Sequence, residues 1–63
     1  MKSWNYVLLM QQAKDLEEVA NHFFTTIPDT DEWEDALSDF ITQAGVFHMC
    51  VEDVLEDERY YME

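Results

Sequence analysis

Residues 29–57 read DTDEWEDALSDFITQAGVFHMCVEDVLED, and this stretch decides the fold. Its first half spaces apolar residues by three and four, as on one face of a helix. These residues are Trp33, Ala36, Leu37, Phe40, Ile41 and Ala44. After Gly45 the pattern restarts with Phe47, Cys50, Val51, Val54 and Leu55. Because glycine favours the position just after a helix, we predict that one helix ends at Gly45 and another follows.

The residues before this stretch predict one more helix, over about 4–26. Its apolar residues step by four and three, at Leu9, Ala13, Leu16, Ala20, Phe23 and Ile27. Ser3 or Asn5 could cap its start. Trp4–Met10 could instead form a strand, but the sequence offers no second strand to pair with it. Pro28 ends the helix, and Thr30 or Asp31 is the expected N-cap of the next one.

Residues 1–63 therefore predict a single small all-α domain. We expect a three-helix bundle with helices at about 4–26, 31–44 and 46–60; a helical hairpin with an N-terminal arm is the alternative. A chain of 63 residues has a marginal core, and Cys50 is its only cysteine, so no internal disulfide can support it. Such a fold needs efficient helix packing or self-association.

The charge of the chain is concentrated in its second part. The formal net charge is −12, from 15 acidic residues against three basic ones. Residues 1–28 contribute −1 and residues 29–63 contribute −11. Hydrophobic residues make up 48% of the chain, too many for a disordered acidic tail. The sequence predicts a folded, soluble, cytoplasmic domain with one highly acidic face, without a signal peptide or membrane span.

Metal binding is the first use of carboxylates to consider, and the spacing argues against it. Asp29 and Asp31 begin like a calcium loop, but Trp33 and Glu34 follow where that loop needs a ligand and a glycine. His48 and Cys50 are two residues apart, so a helix places them on different faces. We predict no metal site.

Catalysis is not predicted either. The histidines, the cysteine and the hydroxyl residues form no recognised nucleophile motif. Gly45 is the only glycine, so there is no glycine-rich phosphate loop. An acyl carrier would need a serine between aspartate and leucine at a helix start, whereas Ser38 lies within a predicted helix. We expect a protein that is not an enzyme and uses no cofactor.

The acidic face remains as the candidate site. Asp31–Asp35, Asp35–Asp39, Glu52–Glu56 and Asp53–Asp57 are like-charge pairs at i, i+4, which destabilise a helix. A solvated face kept for solubility is the simplest interpretation. However, near-exclusion of Lys and Arg from residues 29–63 exceeds what solubility requires. We therefore predict that this face binds a basic partner through Asp29, Asp31, Glu32, Asp35, Asp39, Glu52, Asp53, Glu56 and Asp57.

A nucleic-acid-binding protein is the basic partner that this surface fits best. Neighbouring carboxylates on a helix lie about 5–6 Å apart, and two adjacent acidic helices would approach the charge density of a phosphate backbone. The target would place its Lys and Arg residues on the acids. The same charge excludes direct binding of nucleic acid.

One segment also resembles a known family. Residues 29–37, DTDEWEDAL, followed by Ala44, Val46 and His48, resemble the Ocr family of phage antirestriction proteins over about residues 29–54. That family consists of acidic helical dimers that mimic DNA and occupy the DNA groove of type I restriction enzymes. The resemblance implies a mimic role for Asp29, Asp31, Glu32 and Asp35. The chain is shorter than that family and has a nearly neutral first helix.

Aromatic residues offer a second candidate surface. Trp4, Tyr6, Tyr60 and Tyr61 do not all fit one small core, and they either cover core edges or contact a second copy or the target. The function predicted is inhibition of a host restriction enzyme, CRISPR effector or similar protein by DNA mimicry, in the host cytoplasm if the gene is a phage's. The alternative is a small acidic adaptor or assembly subunit that binds a protein through the aromatic patch.

Overall fold

The protein is a hairpin of two antiparallel helices. The computed structural model describes the backbone of residues 1–62 and the side chains of residues 1–60. Helix α1 spans Ser3–Thr25 and helix α2 spans Asp31–Met62, with residues 26–30 connecting them. The Cα atoms form a rod with principal extents of 50 × 15 × 10 Å. The predicted three-helix bundle is therefore wrong, and so is the strand considered for Trp4–Met10.

The error lies at Gly45, where the chain continues as one helix of 32 residues. Gly45 does not have a positive φ and is not a helix cap. An interior glycine costs a helix only about 1 kcal/mol relative to alanine, and no proline follows it. Phe40, Phe47 and Val54 also keep a seven-residue spacing across Gly45, so an unbroken helix packs all three against α1. That gain exceeds the cost of the glycine.

The more buried positions of both helices follow the seven-residue repeat of a coiled coil, in which the first and fourth residues, a and d, face the partner. In α1 and its preceding residue these positions are Lys2, Asn5, Leu9, Gln12, Leu16, Val19 and Phe23. In α2 they are Trp33, Ala36, Phe40, Gln43, Phe47, Cys50, Val54 and Asp57. The spacing alternates between three and four throughout. The seam between the helices is thus one antiparallel coiled-coil interface.

Aromatic rings pack the seam near the turn. The Phe23 ring lies 5.4 Å from Trp33 and 5.6 Å from Phe40, and Phe24 lies 6.0 Å from Phe40, measured between centroids. Such offset and edge contacts are favourable beyond the area they bury. This cluster fixes the closed end of the hairpin.

Polar groups occupy the seam away from the turn. Gln43 and Gln12 form a side-chain hydrogen bond of 3.1 Å. At the open end, Asn5 is only 3% exposed and donates to Asp57 at 2.9 Å. Polar residues at coiled-coil core positions set the register because any slip leaves them unpaired. The polar pairs therefore reduce the apolar area buried in the seam, but they define the alignment of the two helices.

Local signals set the helix ends. The Trp33 N–H donates to the Thr30 hydroxyl at 3.1 Å, which confirms Thr30 rather than Asp31 as the N-cap of α2. Asp29 precedes it with φ of 66°, a left-handed conformation that aspartate tolerates better than most residues. At α1, neither Ser3 nor Asn5 is the cap, because Lys2 takes that position without a side-chain hydrogen bond.

The core of this hairpin is thin. Among the described residues, Ala36 and Val54 are the buried apolar side chains, at 1% and 5% exposure. Ile41 and Leu55, which the sequence pattern placed inside, are 65% and 49% exposed. Two helices have one shared seam and no interior, so apolar residues beside that seam remain in contact with solvent.

Candidate partner-binding surface

The hairpin has two broad sides, one on each flank of the seam. In an antiparallel coiled coil the residues that follow d (position e) and their neighbours at b lie on one side. The residues that precede a (position g) and their neighbours at c lie on the other. This geometry assigns each exposed side chain to a face from its place in the repeat.

One side carries most of the exposed carboxylates, and we call it the acidic face. Its acidic residues at positions g and c are Asp15, Glu18, Glu32, Asp35, Asp39, Asp53 and Glu56. All are exposed except Asp15, which is half-buried. No lysine or arginine occupies a g or c position in residues 1–60. The acidic face therefore presents carboxylates without a lysine or arginine among them in the part of the chain that the structure describes.

Five of these seven residues were predicted from the sequence, on what were expected to be two adjacent helices. They instead lie toward the two ends of the single helix α2. Residues 40–51 contain no carboxylate, which at 1.5 Å per residue is a gap of about 18 Å. On α2 alone, the acidic residues would form two separate clusters.

Helix α1 fills that gap with two residues that sequence reasoning missed. Gln12 contacts Gln43 and Phe23 contacts Phe40, so the part of α1 between them lies beside the middle of α2. Asp15 and Glu18 belong to that part, and both lie on the acidic face. Only their position in the seven-residue repeat identifies these two residues. That position could be assigned only after the structure showed which residues of α1 face α2.

Other predicted acids lie at the edge of this surface or in the turn. Asp31 and Glu52 occupy the outermost position of α2, opposite the seam, and both are exposed. Asp29 lies in the connection between the helices. Asp31 and Glu32 are also in the first turn of α2, where the helix dipole stabilises negative charge. These two carboxylates thus have a structural use as well.

Asp57 differs from the other predicted residues because it lies in the seam. Its carboxylate accepts from Asn5 at 2.9 Å and from the Lys2 ammonium at 3.1 Å. Both contacts favour the ionised form, so they lower the pKa of Asp57, with the Asn5 hydrogen bond as the larger cause. This carboxylate already has partners within the chain and adds little to the acidic face.

Glu58 completes the same cluster at the open end. It accepts from the Lys2 backbone N–H at 2.8 Å and from Asn5 at 3.2 Å. The backbone hydrogen bond is the main cause of its lowered pKa, followed by the bond from Asn5. Two carboxylates of α2 therefore hold the first residues of α1 in place.

Glu52 has a neighbour on its own helix. The His48 Nε2 atom lies 3.0 Å from Glu52, and both side chains are largely exposed. The pair carries an attractive charge only when His48 is protonated. Glu52 thus lies at the edge of the acidic face beside a histidine of its own helix.

The predicted aromatic patch is divided between the two sides. Trp4 and Tyr6 are two residues apart on α1, and a helix directs them to opposite sides. Tyr60 lies on the same side as Trp4 and is 78% exposed. The side chain of Tyr61 lies outside the described residues. An apolar depression lined by Trp4, Val7 and Leu8 adjoins the acidic face at the open end.

The side chains that could serve other chemistry do not converge. Within the described residues, no group of three His, Cys, Asp or Glu side chains is arranged to hold a metal ion. In the same part of the chain, neither helix is long and apolar enough to cross a membrane. The comparisons add no neighbour, since no protein-family model, curated protein or solved structure matches the chain.

Proposed function

We propose that this protein inhibits a nucleic-acid-binding protein by occupying its phosphate-binding site with the acidic face. The observation that supports this most directly is the row of seven carboxylates, with no lysine or arginine at the g and c positions of residues 1–60. Carboxylates accept charge-assisted hydrogen bonds from Lys and Arg, as phosphates do. A cleft that binds a nucleic-acid backbone therefore offers the complementary groups.

The dimensions of the rod suit such a cleft. Its length of 50 Å equals about 15 base pairs at a rise of 3.4 Å. With Asp31 and Glu52 the acidic face provides nine carboxylates between the levels of Asp31 and Glu56, a rise of about 38 Å. This is about one per 4 Å, against one per about 3.4 Å in a single DNA strand and about 1.7 Å in the duplex. The charge is thus sparser than in DNA. We therefore expect a target that contacts the nucleic-acid backbone through a row of Lys and Arg, rather than one that recognises base edges.

The resemblance to phage antirestriction proteins agrees with this proposal and stays a prediction. Restriction enzymes, CRISPR effectors, nucleoid proteins and polymerase subunits are candidate targets, because proteins that bind nucleic acid contact its phosphates with Lys and Arg. Association should be fast, steered by charge and weakened by salt. The protein itself, with a net charge of −12, should not bind nucleic acid.

The adaptor remains the second candidate, because Trp4 is 75% exposed beside an apolar depression. Exposed tryptophan is a frequent anchor of protein interfaces. The two functions make different demands on the surface. Mimicry requires the carboxylates, so Asp35→Lys combined with Asp39→Lys should abolish target binding. The adaptor requires the ring, so Trp4→Ala should reduce binding more than those charge reversals do.

The deciding experiment is a pull-down with tagged protein from bacterial lysate, washed at low and then at high salt. Retention of a nucleic-acid-binding protein that salt releases and duplex DNA displaces supports mimicry and identifies the target. The Asp35→Lys, Asp39→Lys double variant is the control and should retain none of it. Retention of a protein that does not bind nucleic acid, and that withstands high salt, would contradict the proposal.

A further inference from the structure

The side of the hairpin opposite the acidic face is largely apolar, and we call it the apolar face. Its e and b positions hold Tyr6, Met10, Ala13, Ala20, Phe24, Leu37, Ile41, Ala44, Val51 and Leu55. Phe24 and Ile41 are 74% and 65% exposed, and Tyr6 and Met10 exceed half. A surface of this kind on both helices is unusual for a chain that remains alone in water.

We propose that this face packs against the apolar face of a second copy, forming a four-helix bundle with the acidic faces outside. The inference does not depend on the proposed function, because it rests on area and charge alone. Layered folds bury each apolar helix face against another element, and the two-helix hairpin leaves one such face uncovered.

The surface area of the chain indicates how much is uncovered. The described fold exposes 5203 Å², whereas a folded monomer of 7.5 kDa exposes about 4,200 Å². The excess is about 1,000 Å², slightly more than the roughly 800 Å² that each partner buries in a standard interface. The radius of gyration, 14.8 Å, likewise exceeds the value of about 10.6 Å for a compact chain of this length. One further layer of helices would cover an area of this size.

The charge distribution favours a second copy on this side. Two chains of net charge −12 repel one another and can approach only where carboxylates are few. Glu17 and Glu34 are the free carboxylates at e and b positions of the described helices, since Glu58 already accepts from Lys2 and Asn5. A basic partner would instead be drawn to the opposite side. The apolar face is therefore the one that a like-charged copy can cover.

Two substitutions at equally exposed positions test whether the apolar face forms the dimer interface. Ile41 on the apolar face and Met49 on the acidic side are both 65% exposed and both lie on α2. We expect the wild type to sediment at about 15 kDa, twice the chain mass of 7.5 kDa, at micromolar concentration with reductant present. Ile41→Glu should raise the dimer dissociation constant ~100-fold or more, because it buries a carboxylate in each half of the interface. Met49→Glu adds the same charge and should leave the dimer intact.

The effects of salt and of protein concentration on the wild type test the dimer even if Ile41→Glu fails to fold. Screening of the mutual repulsion should tighten the wild-type dimer between 0.05 and 0.5 M NaCl, opposite to the effect expected for target binding. The wild-type melting temperature should also rise with protein concentration. A monomer at 100 µM, a larger assembly, or equal dissociation by both variants would overturn the proposal. Dimerisation without salt-sensitive target capture would leave the inference standing and remove only the proposed inhibition.

Discussion

The Asn5 side chain donates a hydrogen bond of 2.9 Å to Asp57, joining two residues that are 52 positions apart. Because Asn5 is almost fully buried, loss of its amide would remove its bonds to both Asp57 and Glu58 and leave only the contacts of Lys2 to align the open end of the hairpin. We expect Asn5→Ala to lower the melting temperature by roughly 5 °C, since hydrogen bonds to charged groups are among the stronger ones.

Asn21→Ala is the matched control for this prediction. Asn21 lies on the same helix and is exposed, so the exchange gains the same helix propensity without loss of the seam contact. Its melting temperature should stay level or rise. Equal destabilisation by both variants, measured by circular dichroism at one protein concentration, would show that the contact with Asp57 is unimportant.

The cluster around Lys2 should make the open end sensitive to acid. The pKa values of Asp57 and Glu58 are lowered in the folded chain by hydrogen bonds from Asn5 and Lys2. Their contribution to stability is complete above the ordinary carboxyl pKa of about 4 and is lost as the pH falls through the lowered folded-state pKa. We expect the Asn5 side-chain amide signals in NMR spectra to move toward free-amide positions only below about pH 4. A shift already complete at pH 5 would argue against these bonds.

Substitution of Gly45 should change the stability of the chain in opposite directions in the predicted three-helix fold and in the observed hairpin. A Cβ at this position would meet no atom within 4 Å, and the helix is continuous there. Gly45→Ala should therefore raise the free energy of unfolding by about 0.5–1 kcal/mol. At a helix-ending glycine with positive φ, the same exchange would destabilise the chain. Urea unfolding distinguishes the two outcomes, with Ser38→Ala as a control at the equivalent outer position of α2.

Loss of the N-cap of α2 should lower the free energy of unfolding. Thr30→Ala removes the acceptor for the Trp33 N–H and should cost about 1 kcal/mol. Thr42→Ala, at an exposed position within α2, has no cap to lose and should be neutral or mildly stabilising. Comparable losses in the two variants would mean that the Thr30 hydroxyl contributes nothing specific.

The sequence predicted the features that depend on residues adjacent in the chain. It missed the features that depend on contacts with the other helix. Thr30 could be identified because a cap and its helix are adjacent in the chain. Gly45 was misread because a single glycine signals a helix end locally, whereas the continuity of Phe40 and Phe47 against α1 is a tertiary effect. Asp15 joined the acidic face only through the antiparallel alignment, which no local pattern specifies.

That alignment supplies the sharpest test of the acidic face. Glu17 and Glu18 are adjacent on α1 and both exposed, yet Glu18 lies on the acidic face and Glu17 on the apolar side. Each lysine substitution changes the net charge by the same amount, so a purely global effect of charge would weaken target binding equally in both. If the face itself binds the target, Glu18→Lys should weaken target binding by about tenfold, the loss expected for reversing one close charge in an interface. Glu17→Lys should change target binding little, and titration of the captured target with each variant at fixed salt measures the difference. Equal losses would assign the binding to net charge and leave the acidic face without a specific role.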